Sequence, residues 1–474
     1  MDTDSSYEHE LARTLSLFDI TMIGVGAMIG AGIFVLTGVA AGIAGPALIL
    51  VFLVNGIITS FTALCYAELG SAMPGAGGGY LWVREGLPGP SGFVSGWMDW
   101  FAHTVAGSLY ALGFGAYFAL ILELMGISFF GLSFEITIKL FAVIVICFFL
   151  LINFKGVSET GMAENVFTVA KIVILAIFIG SGLWVMYNKP DFGFSNFSPF
   201  IPNGLGSIFI ACGLTFIAFE GYEIIAQAGE EVRNPRKNVP RAVILSILIV
   251  LPIYCLVAFV SLGALTVESG TTWQYLGEFQ ELGLVEAAKQ FMPFGVLLLI
   301  IGGLLSTMSA LNATTYSSTR VSFAMARDKF LPRKIATIHR KNRTPYVALF
   351  FSGMLMIFMS VSVPLEDVAS ATSLMFLFLF MLVNLSAIMI RRKIGDQLDY
   401  GYRMKFFPII PIVAMCANMA LAVFLFQFSP TAWYVTILWV LIGLGIYFAY
   451  SRRHYVKTEQ WKRYAHLKRD IEEK

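Results

Sequence analysis

Lys171 is an ionisable residue inside a long apolar stretch of the chain. Burying such a group in a membrane span is costly, which makes it a candidate functional residue. It lies about a third of the way along its stretch, too deep for the ammonium group to extend easily to water. A buried lysine can be neutral and become a cation when a path opens, so Lys171 could carry a proton. A structural lysine that donates hydrogen bonds to carbonyl groups is the alternative.

Glu220 is a second ionisable residue in an apolar stretch, and Gly221 follows it. Three roles stay open for its carboxylate: contact with a substrate, acceptance of a proton, or capping of the helix that resumes after it. A helix interrupted here would release carbonyl groups between Phe216 and Phe219. Carbonyl groups that face a cavity would suit an ammonium group.

A second interruption is predicted in the first apolar stretch, at Gly30-Ala31-Gly32. Glycine relaxes the backbone and removes side-chain bulk. Unpaired backbone groups are tolerated in lipid only where they line a cavity. The free amides beyond the break, near Ala31 to Ile33, would begin a half-helix whose dipole attracts a carboxylate. A close helix–helix contact through Gly26 and Gly30 is the alternative.

The two interruptions lie at matching places in two halves of the chain. Each lies about fourteen residues into its stretch, counted from residue 16 and from residue 204, and such pairs indicate a transporter site. Amides on one side and carbonyls on the other fit a zwitterion. The α-amino acid backbone is the natural candidate.

Four further ionisable residues are expected to be mainly structural. Glu68 and Glu223 are placed nearer the ends of their stretches, and Asp99 and His103 are one helical turn apart and are expected to pair.

The elements that would position these residues are membrane helices. Of 474 residues, 57% are hydrophobic and 13% charged, whereas a soluble domain carries about 25% charged residues. A membrane helix needs roughly 20 apolar residues. Twelve such stretches are predicted near 16–43, 45–68, 91–124, 136–154, 163–187, 204–228, 239–266, 292–320, 345–363, 368–390, 407–428 and 431–451.

The charge distribution predicts the orientation of these spans. Clusters of Lys and Arg follow the sixth, eighth, tenth and twelfth spans, at 233–241, 327–343, 391–393 and 452–453. Both termini are therefore expected on the cytoplasmic side. The membrane is expected to be the plasma or inner membrane of the cell. The net charge of +2 is too small to suggest a nucleic-acid partner. The five cysteines lie in apolar stretches without CxxC spacing and are expected to be small buried hydrophobes.

Longer motifs resemble a known family. The first span contains Gly26-x-x-Ile29-Gly30-x-Gly32-Ile33-Phe34, and the sixth contains Phe216-x-Ala218-Phe219-x-Gly221, followed by a run from Gly229 to Arg241. With the stretch from Ala324 to Pro332, these motifs resemble the amino acid–polyamine–organocation (APC) superfamily.

The resemblance implies an all-α membrane protein with twelve transmembrane helices, a LeuT-type 5+5 inverted repeat, and discontinuous helices 1 and 6. The corresponding segments are a cytoplasmic N-terminus at 1–15, repeats at 16–203 and 204–400, helices 11–12 at 401–451, and a charged cytoplasmic tail at 452–474.

The resemblance also implies site residues. Backbone groups bind the substrate carboxylate at Ile29, Gly30, Ala31 and Gly32, and the amine at Phe216, Ala218 and Phe219. Phe216, Phe219 and Glu220 are the candidates for a gate or pocket. Many relatives have an apolar residue at the Glu220 position, so its role does not carry over.

In proton-coupled members a span-five lysine, matched by Lys171, replaces sodium. It reaches a span-one carbonyl, matched by Gly26, and a span-eight hydroxyl, for which Ser306 and Ser309 are candidates. Cationic amino acid members often carry a carboxylate after a span-three Gly-Trp. The register of Asp99 does not clearly match it, so strict specificity for lysine or arginine is not expected.

These features predict a proton-coupled amino acid symporter that uses protons as coupling ion and needs no cofactor or metal. An exchanger of amino acids, or of an amino acid and a polyamine, is the alternative within the same fold. Sodium coupling is a second alternative, and a non-transporting amino acid sensor is an alternative of a different class. No enzyme motif is present, and neither the preferred side chain nor the oligomeric state is predicted.

Overall fold

The computed structural model describes residues 13–75, 77–127, 131–155, 161–455, 461–462 and 464. These residues fold into α-helices joined by short loops and 3₁₀ turns. The first half contains α1 Leu17–Met28, α2 Ala31–Ala44, α3 Leu48–Ala72, α4 Gly78–Gly86, α5 Ser91–Leu124, α6 Phe134–Lys155 and α7 Gly161–Tyr187. The second contains α8 Gly204–Thr215, α9 Tyr222–Gln227, α10 Pro235–Gly263, α11 Thr272–Glu278, α12 Gly283–Phe291, α13 Gly295–Arg327, α14 Tyr346–Ser362, α15 Leu365–Lys393, α16 Ile409–Phe428 and α17 Pro430–Ile446.

Ten segments of the described residues are long and apolar enough to cross a membrane. One of them, Leu17–Ala72, contains α1, α2 and α3 together, and Tyr346–Ser362 is a shorter apolar helix besides the ten. The chain is therefore an all-helical protein with multiple membrane-spanning segments.

The first discontinuity separates α1 from α2. Ser16 begins α1 with a capping box to Asp19, and α1 ends at Met28. Ile29 leaves helical geometry with ψ 63°, Gly30 is extended, and Ala31 begins α2. The break therefore lies at Ile29-Gly30, at the start of the predicted glycine-rich triplet.

The second discontinuity separates α8 from α9. A 3₁₀ turn at Phe216–Phe219 follows α8, Glu220 is extended, and Gly221 has φ 139°. A residue with a side chain rarely adopts this φ, so the glycine permits the reversal that precedes α9.

Helix packing joins the first half of the chain to the second. The largest contacts are α5 with α13, α3 with α10, and α5 with α15, and α6 also packs against α14. The short helix α1 packs against α7, α9, α10 and α13, which places the first break at the centre of the assembly.

Short helices in the connections were not predicted. All nine residues of α4 are buried, and it packs on α5, α9 and α15. The pair α11 and α12 packs on α2, where a Cβ on Gly38 would lie 2.1 Å from the Gln280 carbonyl oxygen.

Several expectations fall at the edges of the structure. The segment 1–12 and most of the tail after Tyr455 lie outside the described residues. Leu15 forms a parallel bridge with Val232, which ties the start of α1 to the loop after α9. All five cysteines are free, but only Cys65 and Cys212 are buried. Cys255 is partly buried and Cys147 and Cys416 are exposed, so the expected burial was wrong for the last two and only partly met at Cys255.

Candidate functional site

The first break exposes backbone groups of both polarities. The amides at the start of α2, from Ala31 to Ile33, lack acceptors within their helix, and Gly30 has no side chain to cap them. On the α1 side, the hydroxyl of Ser306 on α13 donates to the Ile29 carbonyl oxygen. The free amides remain the groups that could hold an anion.

The second break is held by a hydroxyl from α15. Ser373 Oγ donates to the Leu214 carbonyl oxygen at 3.2 Å and accepts from the Ile217 amide at 3.2 Å. Beyond the turn, the Gly221 amide donates to Glu223 Oε2 at 2.7 Å. Side chains thus replace the helical hydrogen bonds that the interruption removes.

The two breaks touch each other. A Cβ on Gly32 would lie 2.4 Å from both Cα and Cβ of Ala218, so only a glycine fits at this contact. The Tyr254 hydroxyl on α10 contacts the Met28 carbonyl oxygen and lies 2.9 Å from that of Ala218. A hydroxyl has one proton, so Tyr254 serves the two carbonyls alternately or shares its hydrogen between them.

Lys171 is fully buried, with 0% of its surface exposed. Its Nζ donates to the Gly26 carbonyl oxygen at 2.8 Å, in the last turn of α1 before the break. One turn earlier on α7, Thr168 Oγ1 donates to the Met22 carbonyl oxygen at 3.3 Å. Ser306 and Ser309 are buried on α13, where Ser306 binds the carbonyl of Ile29.

A cavity lies beside the breaks, between α1, α5, α9, α13 and α15. Its lining residues are Ala27, His103, Ala106, Tyr110, Glu220, Gly221, Glu223, Ile224, Ala310, Ala313, Thr314 and Phe376. Among the predicted site residues, Glu220 lines it. The backbone groups at Ile29–Gly32 and Phe216–Phe219 lie beside it rather than in its wall.

The predicted gate aromatics are packed into the core. Phe219 lies with its ring centroid 5.1 Å from that of Tyr254, and Phe216 lies 6.0 Å from Phe380. Neither ring lines the cavity, whose aromatic wall is formed by Tyr110 and Phe376 instead.

Two ionisable residues that were expected to be structural also line the cavity. Glu223 caps the Gly221 amide, as a structural role requires, but it also lines the cavity. His103 lies with Nδ1 2.8 Å from Asp99 Oδ1, the expected pairing, while its ring also lines the cavity. Tyr254 and Ser373 were missed, and their only signal was a hydroxyl in an apolar span.

No cluster of three or more metal-ligating side chains occurs in the part of the chain that the structure describes.

Comparison with known proteins identifies the family. A family model described as amino acid permease matches residues 15–446. The chain is 33% identical over 466 residues to a branched-chain amino acid permease of Bacillus subtilis (strain 168), covering 95% of each chain. A methylthioribose transporter of the same organism is 30% identical over 466 residues, again with 95% of each chain covered.

A serine/threonine exchanger of Bacillus subtilis (strain 168) is 30% identical, over 92% of this chain and 96% of the relative. These relatives are transporters and not enzymes. The chain therefore belongs to the amino acid permease family of multi-pass membrane transporters, within the APC superfamily that its motifs resemble.

Proposed function

We propose that the protein is a proton-coupled amino acid symporter that works by alternating access, with the α-amino acid backbone bound between the two helix breaks. Family membership supports amino acid transport. The hydrogen bond from Lys171 to Gly26 carries the proton-coupling part of the proposal.

The proposed architecture has twelve spans in a 5+5 inverted repeat. Dividing Leu17–Ala72 between α2 and α3 and adding Tyr346–Ser362 raises the ten candidate segments to twelve. The pairs α3–α10, α5–α13 and α6–α14 each join a span to the one five places later, as internal repeats would. The repeats occupy 16–203 and 204–400, with helices 11–12 at 401–451.

The proposed topology puts both termini, at 1–15 and 452–474, on the cytoplasmic side of the cell membrane. The basic clusters at 233–241 and 327–343 support this orientation because cytoplasmic loops are enriched in Lys and Arg.

The proposed substrate contacts are main-chain groups. Amides from Ala31 to Ile33 would hold the carboxylate, with Ile29 and Gly30 at the break that frees them. Carbonyls of Phe216, Ala218 and Phe219 would hold the amine. The Ala218 carbonyl already accepts from Tyr254, so the amine would use its second lone pair.

Lys171 provides the proposed link between protonation and movement. A charged ammonium binds a carbonyl more strongly than a neutral amine does. Protonation would hold α1 against α7 through Gly26, and proton loss would weaken that contact and release α1. Three residues after Gly26, the carbonyl of Ile29 accepts a hydrogen bond from Ser306 on α13. Ser309 lies on the same helix.

The test is uptake of radiolabelled amino acids into proteoliposomes under an imposed pH gradient. Replacing Lys171 with Ala should abolish the stimulation by an inward proton gradient, because no titrating group then remains at Gly26. Lys139→Ala is the matched control, since Lys139 forms a surface ion pair with Glu135 on α6. Undiminished proton dependence in the Lys171→Ala protein would refute the coupling role.

Exchange is the second candidate, and the similarity to a serine/threonine exchanger favours it. Counterflow measured without any ion gradient separates the two. An exchanger requires amino acid on the opposite side for uptake, whereas a symporter accumulates substrate in empty vesicles when a proton gradient is present.

A further inference from the structure

Two polar atoms in the cavity wall have no hydrogen-bond partner. His103 is 1% exposed and Glu220 4% exposed, and both line the cavity. His103 Nε2 and Glu220 Oε1 are buried without a partner. Since nearly all buried polar atoms in proteins are hydrogen-bonded, these two atoms are available to bond a ligand that enters the cavity.

The surroundings of His103 fix which of its nitrogens is free. Nδ1 lies 3.0 Å from the Asp99 carbonyl oxygen and 2.8 Å from Asp99 Oδ1. Both neighbours are acceptors, so Nδ1 carries the proton. In the neutral ring, Nε2 is then a hydrogen-bond acceptor.

Carboxylates dominate the charge around the cavity. Glu220 and Glu223 line it, and Asp99 lies behind His103. Glu223 already accepts from the Gly221 amide, which leaves Glu220 as the carboxylate with a free oxygen. Among the described residues of the wall, none is Lys or Arg. A buried carboxylate without a cation is costly, so the wall favours a positively charged ligand group.

The rest of the wall suits an aliphatic chain that ends in a cation. Ala106, Ala310 and Ala313 are small and apolar, so they would contact methylene groups without leaving a polar group unpaired. Phe376 packs against the His103 ring, with centroids 5.2 Å apart. A cation near an aromatic face gains further electrostatic attraction.

We propose that this cavity is the side-chain pocket of the transporter and that it selects basic amino acids, with Glu220 as counter-ion and Nε2 of neutral His103 as hydrogen-bond acceptor. This selectivity differs from the expectation drawn from the register of Asp99, because the proposed counter-ion is Glu220 and not Asp99. The proposal rests on the amino acid transport proposed above and names its substrate class. An aliphatic side chain would leave both atoms unpaired. Sites built to hydrogen-bond a substrate reject analogues lacking that group by factors of roughly 10⁴ or more in favourable cases.

The experiment is equilibrium binding of radiolabelled L-lysine to the purified full chain, with L-arginine, L-leucine and L-threonine as competitors. Wild-type protein should bind lysine and arginine at least tenfold more tightly than leucine or threonine. Glu220→Gln should reduce this preference by about tenfold or more, whereas Glu220→Asp should retain it. Glu135→Gln, at an exposed site on α6, is the matched control and should leave the preference unchanged.

Three results would overturn the proposal. One is a wild-type preference for leucine or threonine, which needs no variant to be folded. Another is an unchanged preference in a Glu220→Gln protein that remains monodisperse. The third is an equal loss of affinity for all four amino acids, which would place Glu220 at the common α-amine.

Binding separates this proposal from proton symport. Selective lysine binding without proton-driven uptake would support the pocket and refute symport. Proton-driven uptake of leucine with no preference for lysine would do the reverse. Failure to bind lysine or arginine would overturn the pocket proposal, whichever other amino acid is transported.

Discussion

At the residue scale, the two helix breaks survive because side chains from neighbouring helices bind the carbonyl groups that each break releases. Three carbonyl groups at the first break accept hydrogen bonds in this way. The Gly26 carbonyl is bound by Lys171, that of Met28 by Tyr254 and that of Ile29 by Ser306. An unpaired carbonyl in a dry interior is costly, so these contacts stabilise the break as well as serving any mechanism.

Tyr254 offers a test of that stabilisation. Tyr254→Phe keeps the ring that packs on Phe52 and Phe219, but it removes the hydroxyl from the Met28 and Ala218 carbonyls. We expect a loss of about 1 kcal/mol in stability, the usual net value of one hydrogen bond. The unfolding temperature in detergent should therefore fall, and the KM for uptake should differ from that of the wild type.

The control for this change is Tyr434→Phe, because Tyr434 is exposed on α17. A Tyr254→Phe protein that matched the control in both unfolding temperature and KM would show that the hydroxyl does not hold the breaks.

The sequence predicted the residues of the breaks better than their partners. Lys171 and Glu220 stood out because charge inside an apolar span is rare. Tyr254 and Ser373 did not, since hydroxyls are common in membrane helices and their partners are distant in sequence. Glu223 was placed too near the surface, because a span boundary read from composition cannot show how α9 folds inward.

At the element scale, the interruption of both helices lets their backbones meet. The break in the first span was predicted from glycine content, but its position at Ile29-Gly30 depends on dihedral angles that composition does not determine. The closest approach, between Gly32 and Ala218, joins segments far apart in the chain. Such a contact could not be inferred from either segment alone.

Gly32→Ala tests this contact. The added methyl would lie 2.4 Å from the backbone of Ala218, and backbone cannot move aside as a flexible side chain can. Overpacking of this kind costs typically about 1–3 kcal/mol. We expect at least a tenfold loss of substrate affinity, because the amides of α2 and the carbonyls of the second break would separate.

The matched control is Gly180→Ala on α7, where a Cβ would meet nothing within 4 Å. That variant should bind substrate like the wild type and unfold at an equal or higher temperature, since alanine favours helix. Equal affinities in the two variants would argue against a tight contact between the breaks.

At the scale of the whole molecule, hydropathy predicted the long helices and missed the short ones. Apolar runs of about 20 residues are visible in sequence because the bilayer demands them. The connecting helices α4, α11 and α12 are too short to give such a signal, and tertiary packing determines them. The helix α4 is the clearest case, since it is buried and carries Arg84, a charged residue with 4% exposure.

Arg84 links the two halves of the chain. Its guanidinium pairs with Glu85 at 3.1 Å and with Asp328, which follows α13 and also accepts from the Tyr80 hydroxyl at 2.7 Å. Burial and the nearby Asp328 carboxylate raise the pKa of Tyr80 well above its ordinary value, so the phenol stays neutral and donates. Burial opposes the charge on Arg84, but the nearby carboxylates of Asp328 and Glu85 favour it and its pKa is raised.

Removing one member of such a buried group leaves charge without its partner, which costs roughly 3–5 kcal/mol. Arg84→Ala should therefore lower the unfolding temperature of the full chain well beyond the exposed control Arg340→Ala. The loss should be similar across neutral pH, since Arg84 stays charged and Tyr80 neutral throughout that range. Equal unfolding temperatures for the two variants would mean that the halves are held together by helix packing alone, with no contribution from this ion pair.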